Sequence, residues 1–232
     1  MAYSRAQLKQ QIRQRCDLEN TFFEGDVELE GHINDSAAVL HDLLISAANT
    51  NYAIERATFS TVAGTSTYTI PTSNFYRLVR MGWAIDDLEY PLSPFEEADV
   101  IIQSASAGQG WGPGCLPRYE LSLSADSIWR IRFDPPPDTV TTINLVYHTV
   151  PPTYDDDADP VSIPFADYIV VESCIRIKDK EDRDTGRMER ERAMIQRRIE
   201  DWGATFDRAN PHRTIDAPQP WRTANYRTGR LF

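Results

Sequence analysis

The densest group of potential ligands in the sequence is DDDAD, in which Asp155, Asp156, Asp157 and Asp159 place four carboxylates within five positions. Carboxylate oxygens are preferred ligands of calcium, so a hard-cation site is the chemistry such a run could support. The EF-hand order is missing, with no glycine at the sixth position and no closing glutamate at the twelfth. A solvated charge run is therefore the favoured expectation. The second candidate is the glycine-rich stretch SASAGQGWGPGCLP, residues 104–117, with Gly108, Gly110, Gly112 and Gly114. Loops of this kind cradle phosphates when they open a helix, but here GK[ST] is absent, GxGxxG is not formed, and Pro113 and Pro117 block a helix start. A surface or partner-binding loop is expected instead. His32, His41, His148 and His212 fall in different segments without paired ligand spacing, and neither GxSxG nor HExxH occurs. Nothing here calls for catalysis, and the expectation is a protein that is not an enzyme and needs no metal or cofactor.

The third candidate is a binding surface rather than a reaction centre. Between Arg208 and Phe232 there are five arginines and one acid, Asp216, a net of +4. The whole chain carries −11, so the remaining 207 residues carry −15, with 19 basic against 34 acidic side chains. That balance argues against nucleic-acid binding by the body of the protein. The basic end is also aromatic: Arg213, Trp221, Arg222, Tyr226, Arg227, Arg230 and Phe232 combine the residue types that dominate interface hot spots. An extended arm that docks on a partner is expected there. By contrast RMERERAMIQRRIEDW interleaves acids with its arginines, which suits ion pairs more than a basic stripe. Cys16, Cys115 and Cys174 are odd in number and far apart in sequence, as expected of free thiols from a reducing compartment. MAYSRAQLKQQIRQRCD lacks the apolar core of a secretory signal, and no apolar run approaches the roughly 18 to 20 residues of a membrane span.

The elements that must position these residues are legible from periodicity. Ser4 with Gln7 forms a capping-box pattern and predicts a first helix over 4–16. Ile33, Ala37, Leu40, Leu44 and Ala47 make one stripe of a second helix from Asp26 to Asn49. Residues 57–152 are rich in Thr, Tyr, Val, Ile and Trp, broken by Gly and Pro. Strands are predicted at Thr58–Val62, Ser66–Ile70, Tyr76–Ile85, Arg118–Ser122, Ser127–Phe133 and Thr142–Thr149. Alternation at Trp129, Ile131 and Phe133, and at Ile143, Leu145 and Tyr147, predicts sheets with one wet face. Tyr168, Val171 and Ile175 mark a third helix, and Met188, Ile195, Ile199, Trp202 and Phe206 a fourth that Asn210–Pro211 stops. The expected fold is α+β: a four-helix bundle body (1–56 and 153–207), an inserted antiparallel β module (57–152) and an extended C-terminal arm (208–232). Trp202 and Phe206 are expected to close the bundle core.

Four segments carry a family resemblance. They are DVELEGHINDSAAVLHDLL, STYTIPTSNFYRLVRMGW, PRYELSLSADSIWRIRFDPPPDTVTTINLVYHTVPP and VSIPFADYIVVESCIRIKDKEDRD. Together they resemble the head–tail connector or adaptor proteins of tailed bacteriophages, above all the tail accessory factor and tubular-protein adaptors of short-tailed phages. The resemblance implies a virion structural protein made in the host cytoplasm and placed at the head–tail junction. It implies a twelve-fold ring beneath the portal protein that extends the DNA channel and receives a tail or nozzle protein, with double-stranded DNA passing without sequence-specific binding and no membrane contact. The arm would grip the portal through Arg213, Trp221, Arg222, Tyr226, Arg227, Arg230 and Phe232. Ring contacts would use the charged faces of the third and fourth helices. The competing expectations are another tail station, a stopper or nozzle-facing component, and a carbohydrate- or ligand-binding β module with Trp83, Trp111 and Trp129 as stacking platforms.

Overall fold

The computed structural model describes residues 3–17, 26–48, 52–85, 88–95 and 117–209. Helix α1 (Arg5–Cys16) opens as its sequence predicts: the Ser4 Oγ accepts from the Gln7 amide at 3.3 Å while the Ser4 amide donates to Gln7 Oε1 at 3.0 Å. Asp17 closes it in the left-handed region (φ 53°), its amide returning to the Arg13 carbonyl. Helix α2 (Asp26–Ala48) buries Ile33, Ala37, Leu40 and Leu44, the predicted stripe. Helix α3 (Asp167–Lys180) departs from the single stripe expected of it, since nine of its fourteen residues are buried. The physical reason lies in DYIVVESCIRI, which is apolar nearly all round and so needs neighbours on more than one side. α1, α2 and α4 (Gly186–Ala209) supply them, and the four helices share one core with Leu8, Ile12, Leu29, Tyr168, Ile195 and Ile199 among its members. A two-residue ribbon of β1 (Tyr3–Ser4) with β10 (Pro160–Val161) seals one edge.

Between α2 and α3 lie two four-stranded sheets packed face to face. The first has the order β2 (Ile54–Ser60), β9 (Thr142–Thr149), β4 (Phe75–Ile85), β5 (Leu88–Pro91). The second runs β3 (Thr67–Thr69), β8 (Trp129–Asp134), β7 (Arg118–Leu123), β6 (Ser93–Pro94). All pairs are antiparallel except β6–β7, a short parallel pair that corrects the purely antiparallel expectation. The shared core takes Met81, Trp83, Ile143, Leu145 and Tyr147 from one sheet and Tyr119, Ile131 and Phe133 from the other. Strand β9 differs from the one-wet-face expectation, because Val146 and His148 on its other face are also buried. The His148 end of that face is covered where the sandwich meets the helices.

The registers of β4 carry two irregularities. Phe75 pairs with Thr149, Arg77 with His148, Leu78 with Tyr147 and Arg80 with Val146, so Tyr76 and Val79 are extra residues. Each shifts the in–out parity of the strand by one.

Candidate interaction surfaces

Helices and sandwich are joined through a cluster of ring side chains. His41 on α2 donates from Nε2 to the Thr149 carbonyl at 2.9 Å, and its buried Nδ1 has no hydrogen-bond partner among the described residues. Its ring meets those of Tyr52 and Tyr76 edge-on at 5.5 and 5.9 Å, and Tyr52 in turn meets Trp202 at 6.4 Å. Tyr76 Oη donates to Asp42 at 2.6 Å, and His148 Nδ1 bonds to the Tyr52 carbonyl at 2.9 Å. Burial lowers the His148 pKa below its ordinary value, with Arg77 and His41 adding to the effect, and burial pushes the Tyr52 hydroxyl up to about 12. Two histidines that are remote in sequence therefore meet at this seam. Both are structural here, and among the described residues no group of three or more His, Cys, Asp or Glu is placed to hold a metal.

The aspartate run is tied to the helices rather than left solvated throughout. Asp157 pairs with Lys9 at 2.7 Å and with Arg5 at 3.0 Å, and Glu30 meets the same two cations at 2.7 and 3.4 Å. Arg5 also donates to the Tyr154 carbonyl at 3.0 Å. Burial opposes the charge of Lys9, but its bonds to Asp157 and Glu30 outweigh that and raise its pKa. The Lys9 hydrogen bond in turn holds the Asp157 carboxyl below the usual range. Asp159 accepts from the amides of Asp155 and Asp156 at 2.9 and 2.8 Å, a turn-forming use of a carboxylate.

The interleaved charges of α4 act between helices. Glu191 pairs with Arg15 of α1 at 2.8 Å, while Arg192 and Arg198 reach Glu172 and Asp167 of α3, each at 3.2 Å. Arg176 and Lys180 of α3 close on Asp35 and Glu28 of α2. Cys16 and Cys174 are buried thiols outside any disulfide, and they meet at the α1–α3 contact, where the Cys16 hydrogen bond and burial raise the Cys174 thiol pKa.

Of the expected tryptophan platforms, Trp83 is only 4% exposed and belongs to the sandwich core, so it offers no face to a ligand. The bulges in β4 explain the misreading, since they set which face each residue takes. Trp129 is half-buried against Phe75, ring centres 5.4 Å apart, and lines an open groove of about 650 Å3 with Ile70, Pro71, Ile128 and Val150. Trp111 and the 104–116 stretch lie outside the described residues. Trp202 packs on the helical core and meets Phe165 at 5.8 Å, whereas the Phe206 side chain is outside the description. The arm residues Arg213, Trp221, Arg222, Tyr226, Arg227, Arg230 and Phe232 also lie beyond the described part.

What the described residues present is thus a fold tied together by structural polar networks. A family model described as SU10 adaptor protein matches residues 3–223, nearly the whole chain. The chain belongs to the SU10 adaptor protein family. No curated protein matches it. Membership of this adaptor family makes the chain a phage structural protein and a virion component with structural partners there, and it suggests a non-enzymatic role. No helix among the described residues is long and apolar enough to cross a membrane.

One set of residues was not singled out from the sequence. The register places Arg56 opposite Val146 and Val146 opposite Arg80, so all three share a face, and Arg77 joins them opposite His148. No sequence signal marks this grouping, because residues 77 and 80 would point to opposite faces of a regular strand. The bulge at Val79 turns them to the same side.

Proposed function

We propose that this SU10 adaptor family member is the head-to-tail adaptor itself: a ring under the portal protein that extends the DNA channel and offers the platform for the tail or nozzle. The observation that carries this reading is the family match over residues 3–223, which spans helices, sandwich and most of the basic tail. In this reading residues 1–56 and 153–207 form the ring body, residues 57–152 are a β module presented to the next tail component, and residues 208–232 grip the portal. Arg213, Arg222, Arg227 and Arg230 would supply charge-assisted hydrogen bonds there, and Trp221, Tyr226 and Phe232 would fill pockets. A +4 arm on a −11 chain suits an acidic groove, and ordering it on docking would couple assembly to portal contact. The acidic body suits a channel in which DNA slides rather than sticks.

Co-purification with the cognate portal, using the full chain and a version ending at Asp207, tests this by negative-stain imaging. The expected result is a second ring under the portal with the full chain only. A ring from both versions would keep the adaptor role and move the grip elsewhere. Binding by neither would overturn the portal assignment in favour of another tail station, a stopper or nozzle-facing component.

A further inference from the structure

The outer face of the first sheet has a charge unlike the rest of the molecule. Arg56, Arg80 and Arg77 are all exposed on it, and adjacent strands lie about 4.8 Å apart, so Arg56 and Arg80 flank Val146 with backbones roughly 10 Å from each other. Val146 between them is only 7% exposed, an apolar floor under two long side chains. Among the described residues none of the three arginines has a carboxylate partner. The single described acid on this face is Glu89, which lies at the far end, folded over Gly82, where a Cβ would meet its side chain at 2.4 Å. The second sheet is more nearly balanced: on its outer face Arg132 is answered by Glu120 at 3.7 Å and Arg118 stands opposite Asp134, and only Arg130, opposite Thr69 and Ser122, faces no acid among the described residues. The bulge at Val79 brings Arg77 and Arg80 to one side, and bulges of this kind re-aim side chains at functional edges.

A surface of three unopposed arginines fits an anionic partner, and two observations favour a protein over a nucleic acid. The chain has 21 arginines and only three lysines, and arginine is the cation enriched in protein interfaces while lysine is depleted. The remainder of the chain is strongly acidic, which repels a polyanion and complements this face. Asp167, Glu172, Arg176 and Lys180 of α3 and several charges of α4 are already paired within the chain, so the ring contacts expected on those helices have fewer free groups to use. We propose that the sheet face built from Arg56, Arg77 and Arg80 around Val146 docks on the acidic body of a second copy of this chain. The contact is head-to-tail, one copy's face on a different surface of the next, which is the kind that closes rings. It rests on the ring reading above and names the surface that reading lacks.

Sedimentation velocity of the full chain over a concentration series, at low and high salt, tests it with Arg56→Glu/Arg80→Glu and, as a matched charge change, Arg187→Glu/Arg190→Glu on the outer side of α4. Circular dichroism checks that each variant folds. The expected result is self-association of the wild type that salt weakens, about tenfold weaker association of the sheet variant, and little change in the helix variant. Equal loss in both variants, full association of the sheet variant, or a wild type that stays monomeric throughout would each overturn the proposal. A short duplex DNA that binds wild type but not the sheet variant, with self-association untouched, would overturn it in favour of a nucleic-acid surface. Carrying the same variants into the portal co-purification separates the two readings. A sheet variant that still forms a ring on the portal refutes this surface alone, whereas wild type that fails to bind the portal refutes the adaptor assignment.

Discussion

Two glycines in neighbouring helices should respond to the same substitution with opposite signs. Gly203 on α4 lies against α2 so closely that a Cβ would stand 2.2 Å from the Ala47 carbonyl oxygen and 2.8 Å from the Ala47 Cβ. Ordinary carbon–oxygen contact begins near about 3.3 Å, so the helices would have to part by about 1 Å. The obstacle is backbone, which cannot swing aside as a side-chain tip can. Overpacking of this kind costs about 1–3 kcal/mol, and the upper part of that range applies here. Alanine returns about 0.8–1 kcal/mol of helix propensity, which leaves Gly203→Ala destabilised by about 2 kcal/mol. Gly31 on α2 has nothing within 4 Å of its added Cβ and is exposed, so Gly31→Ala keeps the propensity gain and is stabilised by about 0.8 kcal/mol. For a chain of this size the two changes correspond to a midpoint lowered by about 4–8 °C and one raised by about 2–3 °C. Thermal unfolding followed by circular dichroism reads both. A Gly203→Ala midpoint at or above that of the wild type would refute the close α2–α4 approach, and a Gly31→Ala loss would refute the open environment assigned to that turn.

Three further outcomes follow from the polar networks and the core. Lys9→Met removes a buried cation from Glu30 and Asp157, both partly solvated, and should cost about 1–2 kcal/mol at pH 7 in urea unfolding. Because the folded Asp157 pKa is depressed, that contribution is present above its unfolded value and lost as pH falls through the folded one, so the gap between wild type and Lys9→Met should shrink towards pH 2; an unchanged gap would show that the pair contributes nothing. The folded His148 pKa is also depressed, but for a base this means the unfolded chain binds the extra proton, so stability is complete above the ordinary value of 6.5 and falls as pH drops below it. Midpoints measured from pH 8 to 5 should show that slope, flattened in His148→Gln; equal slopes would place the titration elsewhere. Trp83→Ala should cost about 3–5 kcal/mol as a core truncation, whereas a loss of ligand binding without loss of stability would contradict its burial.

Where periodicity is unbroken, sequence and structure agree closely. The second helix is read as 26–49 and found at Asp26–Ala48, and Thr142–Thr149 is a strand over its whole predicted length. The α+β class follows from the same patterns. Strand β2 begins at Ile54 rather than Thr58, because IERA at a sheet edge carries charges that mask the strand period. β5 and β6 were not expected at all: LEYPLSP holds two prolines, and proline in a strand is tolerated only where an amide needs no partner. The orientation of β4 was least legible. With Tyr76 and Val79 inserted, alternation fails twice within six residues, and only pairing to β9 tells that Trp83 faces inwards and Arg77 and Arg80 outwards. The arm read as the portal grip falls outside the described residues, so the resemblance alone carries it.

The seam between helices and sandwich bears on how an adaptor could transmit assembly. The sandwich is joined to the helices by two chain crossings, 48–54 and 149–154; the second is fixed to α2 at both ends, Thr149 through its carbonyl to His41 and Tyr154 through its amide to Asn34 at 2.9 Å, and Tyr52 of the first meets the His41 ring at 5.5 Å. Tyr76 adds a third tie to Asp42, and Tyr52 bridges the first crossing to Trp202 of α4. Contacts at several points along one 23-residue helix resist both bending and twisting, where a single linker would resist neither. The buried His41 Nδ1, with no hydrogen-bond partner among the described residues, sharpens this, because any rotation of the sandwich that broke the Thr149 bond would leave the whole imidazole unpaired in a dry site. Load placed on the sheets by a neighbouring copy or a tail component would therefore reach α2, and through α2 the shared helical core, as displacement of one body rather than as loop motion.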